Sequence, residues 1–502
     1  MKFGFSIFTA VSCMALIAHS VSAQPAQTPV APGSEGNVAG DYETEIIAKE
    51  YAISNGEAKD QQAVVGLYQR EAGKIAEQYP GSFLASIADY GKRFRITLVF
   101  DRDVNLPDVQ QAVTSELRPF LAIRRSRFSG DEIKAAKKTI LDLAGARFDG
   151  VSASFNFTRD RYELWLPEDA DASAILREFP VDLRNIIDIK RGVTANMVGV
   201  DGNADTPTTS ARTVYFGGWP LFSAGTAACT SSFSVWNTST NTPGVLTAGH
   251  CDNTRIAHRY PADGTLVSLD DAVSERYPGW YDFQIHYTPG MGTNGSFWVD
   301  NDVSGTYRIN CNITVDTCTT RSFRNRISSL AVPQYIQVVD AVKGVAIQSD
   351  LGYNPNHPLN AIRCRYGRMT GIVCGKIINS EVDGNIRDSN GNTYSSYSFV
   401  RVEPYTGYQA TAIGGDSGGP VFTSLYVPAS GSPTAIAAGV VSSARLMGTG
   451  LLTSGMRDRP CIVGSDTGCF YDYMPIDRIN DSSYPIGVLK YGTTTYQAIN
   501  VN

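Results

Sequence analysis

The sequence predicts a mixed α+β segment followed by a long all-β region, and three observations carry that expectation. Between residues 42 and 190, runs with a helical period alternate with runs of period two, and cysteine is absent. Past residue 200 lysine becomes scarce, and Ser, Thr, Asn, Gly and Tyr take over. From there until the last fifty residues no stretch has a convincing helical period. Short apolar runs separated by turn residues recur instead, the signature of a barrel or sandwich. A chain of 502 residues has room for about two to four domains.

The elements follow in order. Lys2, the apolar run Phe5 to Ala18 and the small residues Val21-Ser22-Ala23 read as a signal peptide over residues 1–23. The run is too short and interrupted for a membrane span. Residues 24–41 are rich in Pro, Ala and Gly and are expected to be disordered. Residues 42 to 78 have a helical pattern that ends near Tyr79-Pro80. Phe94, Ile96, Leu98 and Phe100 alternate as in a strand with one face buried, and Pro107-Asp108 opens a short helix carrying Val109, Val113 and Leu117. Ser129 with Glu132 forms a capping box, Phe128 is placed to staple onto Ile133, and Gly145 closes that helix. Val151 to Phe157 and Tyr162 to Leu166 read as a hairpin. Residues 191–213 form a polar linker, and Phe233 to Val235, Tyr335 to Val339, Val345 to Gln348 and Val440 to Val441 read as strands beyond it.

Composition narrows the function. A net charge of −6 argues against a nucleic-acid partner, and no later segment approaches a membrane span. Of nine cysteines, Cys13 leaves with the signal, and the other eight lie between Cys229 and Cys469. An even count in an oxidising compartment favours disulfides, and with no Cys-x-x-Cys spacing zinc is disfavoured, so no metal is expected.

Three segments carry chemistry: Thr247-Ala248-Gly249-His250-Cys251, Tyr277-Pro278-Gly279-Trp280-Tyr281-Asp282-Phe283 and Gly414-Gly415-Asp416-Ser417-Gly418-Gly419-Pro420. A serine hydroxyl is a weak nucleophile unless a base takes its proton, and the base needs an orienting carboxylate. Glycines beside Ser417 let backbone N–H groups converge on an oxyanion, with Gly415 and Ser417 as candidate donors. The α/β-hydrolase elbow also fits Gly415-Asp416-Ser417-Gly418-Gly419, but that fold needs a histidine after its serine, and the last one here is His357.

With His, Asp and Ser in that order, residues 214–502 resemble the chymotrypsin-like serine proteases, and among them the bacterial α-lytic protease and streptogrisin group. The segment Cys364-Arg365-Tyr366-Gly367-Arg368-Met369-Thr370-Gly371-Ile372-Val373-Cys374-Gly375 resembles a hairpin particular to that group, and residues 42–190 resemble its pro region. The resemblance implies an all-β domain of two packed six-stranded antiparallel barrels, with the site between them, behind an α+β pro region. It implies His250 as general base, Asp282 as its orienting acid, and Ser417 as nucleophile of a secreted, self-processing endopeptidase acting through an acyl-enzyme. Asp252, Asp263, Asp270 and Asp271 compete with Asp282 for the acid's place; the strand-like Phe-Gln-Ile after Asp282 favours it. The resemblance further pairs Cys229 with Cys251 and Cys364 with Cys374, and sets Arg365 against Asp416. Proximity alone pairs Cys311 with Cys318 and Cys461 with Cys469.

By the same resemblance, Thr411 falls where trypsin-like enzymes carry an acidic residue at the base of the specificity pocket, and Ser442, Ser443 and Ala444 are expected along the wall that pairs with substrate backbone. With no carboxylate at Thr411, uncharged small or medium residues are expected before the cut. Ile413 stands where the family usually has a cysteine. Thr194-Ala195-Asn196-Met197-Val198-Gly199 resembles one maturation junction, while Val214-Tyr215-Phe216-Gly217-Gly218 better suits the spacing to Cys229, so the cut is expected within 190–214. The partners implied are polypeptide substrates and the chain's own pro region; a monomer is expected, without cofactor. The competing readings are a catalytically silent protease-fold protein for binding or adhesion, and a specific activator with a narrow substrate range.

Overall fold

The structure, a computed structural model, describes residues from 40 to 500 with gaps, the longest internal ones at 203–213, 343–356 and 448–458. The expected signal peptide and the segment after it, up to residue 39, lie outside the described residues, as does the strand expected over Val345 to Gln348.

The N-terminal half of the described chain is α+β. Helices span Tyr42–Glu50 and Asn55–Gln78 rather than one continuous run. The break has a local cause: Ala52 adopts a left-handed φ of 51°, and Ser54 with Glu57 forms a capping box that restarts the helix. The short helix covers Leu106–Ala112, so Val113 and Leu117 fall beyond it, although both are buried. Two adjacent β-branched residues, Val113 and Thr114, disfavour its extension. The helix Gly130–Gly145 carries its capping box at Ser129 and Glu132, and Phe128 packs on the rings of Phe155 and Tyr162. Strands Ser152–Asn156 and Arg161–Leu166 form the expected hairpin, with Phe155 opposite Tyr162.

Past residue 200 the described residues hold strands and one short 3-10 turn, Ile476–Arg478. Six of these strands close into a barrel: β1 (Ile362–Gly367), β2 (Gly371–Arg387), β3 (Thr393–Pro404), β4 (Pro420–Val427), β5 (Thr434–Met447) and β6 (Tyr471–Pro475). The ring runs β4-β1-β2-β3-β6-β5 and returns to β4, where Pro420 pairs with Val440. Closure leaves no bare strand edge around the ring. Thr242–Thr247, Gln284–Tyr287 and Ser234–Asn237 belong to a separate six-stranded sheet, and Pro220–Ser223 with Thr226–Thr230 to a five-stranded one. Among the described residues those two sheets are not hydrogen-bonded into one ring.

The α+β segment is stitched to the barrel at several seams. Ser152–Asn156 extends the barrel sheet through Ala153 opposite Asp383 on β2. Gly40 and Asp41 pair with β4, and Glu43 accepts from Thr423 Oγ1 at 3.1 Å and from the Ser424 N–H. Thr194–Asn196 lies antiparallel to β5, with Ala195 opposite Ala444. Lys137, on the helix Gly130–Gly145, is buried between two acids of β2, 2.7 Å from Asp383 and 3.2 Å from Glu381. Burial alone would discharge it, but the two carboxylates outweigh that penalty and raise its pKa.

Removing Lys137 strands two carboxylates side by side at a buried seam. Lys137→Met is expected to cost the intact chain about 3 kcal/mol, read as a lower urea midpoint. Lys138→Met, which removes the exposed pair with Asp142, should leave that midpoint near its original value.

Candidate active site

The strand Thr242–Thr247 leads directly into Ala248-Gly249-His250-Cys251, and the Cys229–Cys251 disulfide fastens this loop to the strand Thr226–Thr230. Closing a loop of 22 residues contributes about 3 kcal/mol in the chain-entropy model. Asp282 stands just before Gln284–Tyr287, the strand paired with Thr242–Thr247. That pairing brings its carboxylate to His250: the His250 N–H donates to Oδ1 at 2.9 Å, and Nδ1 lies 3.0 Å from Oδ1 and 2.8 Å from Oδ2. A carboxylate only accepts, so Nδ1 carries the hydrogen and Nε2 presents a lone pair. Nε2 meets Ser417 Oγ at 2.8 Å. All three residues are buried, and Asp282 also accepts from the Ser442 hydroxyl.

Ser417 sits on a turn held from both sides. The Asp416 N–H donates to the Ile413 carbonyl (3.1 Å), and the Gly419 N–H to the Asp416 carbonyl (3.0 Å). Gly418 and Gly419 both bond to Val441 of β5, with Gly418 N–H on the Val441 carbonyl at 2.8 Å and Val441 N–H on the Gly419 carbonyl at 2.9 Å. Gly418 has a φ of 83°, and a Cβ there would come within 2.0 Å of Thr247 Oγ1 and 2.3 Å of the Thr230 carbonyl oxygen; no other residue fits. Thr230, next to Cys229, ties this turn to the histidine loop. Its N–H donates to the Ser417 carbonyl at 2.7 Å and its hydroxyl to the Gly415 carbonyl at 2.7 Å. Gly415, with φ of 97°, is the other residue assigned to an oxyanion hole.

Asp416 is wholly buried against the turn between β1 and β2. Its Oδ1 accepts from the Met369 and Thr370 N–H groups at 2.8 and 3.2 Å. Its Oδ2 accepts from Thr370 Oγ1 at 2.6 Å and from the Ile413 N–H at 3.1 Å, and lies 3.4 Å from Arg365 Nη1. Burial pulls the Arg365 pKa down, and Asp416 partly restores it. Cys364 pairs with Cys374 at the base of this hairpin, in register across β1 and β2.

Thr411 is buried with its hydroxyl already donated to the Cys461 carbonyl at 2.9 Å. Cys461 is disulfide-bonded to Cys469, so their sulfurs are not thiolates for a metal, and the adjacent Asp466 caps the Ile462 N–H at 2.7 Å. Cys311 and Cys318 stand on two paired strands, but their side chains lie outside the described residues, as does the approach Tyr277 to Tyr281. Ser442, Ser443 and Ala444 lie on β5, where Ser443 and Ala444 are paired with Asn196 and Ala195 of the same chain. His357 is buried against Tyr473 Oη (2.7 Å) and near Asp477 (3.6 Å), with its pKa lowered by burial.

Several residues were not singled out in the sequence. Met369 and Thr370 cradle Asp416, and Ser442, expected only as wall, also holds Asp282. Behind Ser443 lies a buried pair, Arg401 with Asp472, bidentate at 2.8 Å on both oxygens. Only their place within the quoted segments could have pointed to Met369, Thr370 and Ser442; Arg401 and Asp472 lie 71 residues apart with no shared pattern.

No family model matches the chain, and no curated protein does. The solved structures similar to it include two that each match over 53% of this chain. One is a chymotrypsin of Cellulomonas bogoriensis, 18% identical, with 93% of its own length covered and a TM-score of 0.29. The other is an α-lytic protease homologue named N4, 16% identical, with 95% covered and a TM-score of 0.29. Among the described residues no helix is long and apolar enough to cross a membrane.

Arg365→Met removes the guanidinium that lies 3.4 Å from the Asp416 carboxylate. The expected result is a stability loss of about 3 kcal/mol, visible as a lower thermal midpoint. Arg365→Lys, which keeps the charge, should recover part of it.

Proposed function

We propose that this chain is a secreted serine endopeptidase made as a self-processing precursor. The observation that carries the reading is the line Ser417 Oγ–His250 Nε2 and His250 Nδ1–Asp282, closed at 2.8 Å at each link. Ser417 Oγ attacks the scissile carbonyl carbon while His250 Nε2 takes its proton. Asp282, steadied by Ser442, holds the tautomer and offsets the imidazolium charge. The Gly415 and Ser417 N–H groups meet the oxyanion. His250 then protonates the departing amine, leaving an acyl-enzyme that water hydrolyses by the same steps in reverse roles.

The six-stranded sheet that carries His250 and Asp282, with the five-stranded sheet tied to it through Cys229–Cys251, acts as the partner of the closed barrel that carries Ser417, in a two-barrel arrangement with the triad at their junction. Residues 42–190 serve as pro region, and the three disulfides among the described residues suit an oxidising, extracytoplasmic compartment. The engaged hydroxyl of Thr411, with no carboxylate beside it in the sequence, supports a preference for uncharged small or medium residues. Self-processing is supported by Thr194–Asn196, which lies where a substrate strand belongs. The first cut is expected within 190–214, the stretch that contains this strand.

Intact mass after treatment with a fluorophosphonate tests the nucleophile. Wild type should gain one adduct, on Ser417, and Ser417→Ala none; a folded, processed wild type that takes no label rejects the reading. Asp282→Asn should lower kcat by about 10⁴-fold through the wrong tautomer. The same spectra give the maturation point: a mature chain that begins within 190–214 agrees with the reading, and one that begins outside it refutes the self-processing part.

A further inference from the structure

Strands Asp302–Asn312 and Thr317–Arg326 form a two-stranded hairpin that pairs with no other sheet among the described residues. An isolated hairpin is marginal in water and must be held by something else. One holding point is Asn325, buried with 1% exposure. Its Nδ2 donates to the carbonyls of Thr370 at 2.7 Å and Ala410 at 2.8 Å, and its Oδ1 accepts from the N–H groups of Gln409 at 3.0 Å and Ala410 at 3.1 Å. Both ends of the amide are therefore spent on backbone from two segments about forty residues apart in the chain.

Those two segments are not ordinary surface. Thr370 is the residue whose N–H and hydroxyl grip Asp416, the immediate neighbour of Ser417. Ala410 precedes Thr411 at the expected pocket base. Next to the amide, Phe323 packs against Ala410 and Ile462, and the Arg324 N–H donates to Gln409 Oε1 at 3.0 Å. On its far side the 409–411 backbone is held by the Cys461–Cys469 loop, through Thr411 N–H on the Cys461 carbonyl at 3.0 Å and Val463 N–H on the Gln409 carbonyl at 3.2 Å. Asn325 thus clamps the near side of one strip and links it to the Asp416 cradle.

We infer that Asn325 is a positioning residue for the proteolytic reaction, fixing the pocket base and the oxyanion turn relative to each other through Ala410 and Thr370. The inference rests on the endopeptidase reading. An amide suits the task because it donates and accepts at one point; a carboxylate of the same shape only accepts and would face the two carbonyls it should bind.

The test uses full-length chains allowed to mature, with Asn325→Ala and Asn325→Asp beside wild type. Each is labelled to completion with a fluorophosphonate, and kcat/KM on a peptide amide is expressed per labelled site, so that misfolded molecules do not count. The expected result is a loss of about 10- to 100-fold per site in both variants, falling mainly in kcat, with the pH profile of kcat/KM unshifted. If Asn325→Ala yields no labelled sites, the near-isosteric Asn325→Asp carries the comparison. Variants equal to wild type per site overturn the inference and leave Asn325 as a fastener of the hairpin alone. A wild type that takes no label removes the protease reading itself, and the inference with it.

Discussion

A carboxylate taken wholly out of water must have its charge met inside the protein, and much of this site is arranged around that demand at Asp416. Three N–H groups, one hydroxyl and one guanidinium converge on it. Each donor fixes a different piece of backbone: Met369 and Thr370 fix the turn between β1 and β2, and Ile413 fixes the approach to the pocket. Because Asp416 and Ser417 are consecutive, satisfying the one carboxylate orients the hydroxyl on the other side of the chain. An unmet charge there would cost several kcal/mol, so the turn has few alternative conformations of comparable energy.

The same logic of converging donors runs through the second half of the site. Asp282 is filled by His250 twice over and by Ser442, which leaves its carboxylate little freedom to rotate away from the imidazole. Thr230 then joins the two halves, since its backbone and hydroxyl bind the serine turn while its own carbonyl accepts from Thr247 at 2.9 Å. A residue beside a disulfide is well placed for this, because Cys229 cannot drift from Cys251.

Local pattern made much of this legible in the sequence. The capping box at Ser129 and Glu132, the hairpin at Phe155 and Tyr162, and the segments around His250, Asp282 and Ser417 are all short-range signals, and the geometry brings the last three together. Long-range partnerships were not legible. Lys137 meets Glu381 and Asp383 across more than two hundred residues, and Arg401 meets Asp472 across 71. Each of these charges looks like ordinary solvated surface in sequence, and only the folded sheet order removes it from water. Asn325 was hidden for a related reason: a lone asparagine in a strand-like run carries no period, and its worth lies in two backbones that approach it from elsewhere.

The strand Thr194–Asn196 along β5 has a kinetic meaning that a list of contacts does not convey. Under the proposed function it is a tethered occupant of the substrate site, and such a segment competes with free substrate at an effective concentration on the order of millimolar, whatever the dilution of the protein. Severing the chain changes the arithmetic without moving an atom: the segment then competes at its own dissociation constant, and the seams at Lys137, Glu43 and Ser152 decide how slowly it leaves. Under the proposed function, the moment of cutting and the moment of becoming free are separate events, and dilution governs only the second.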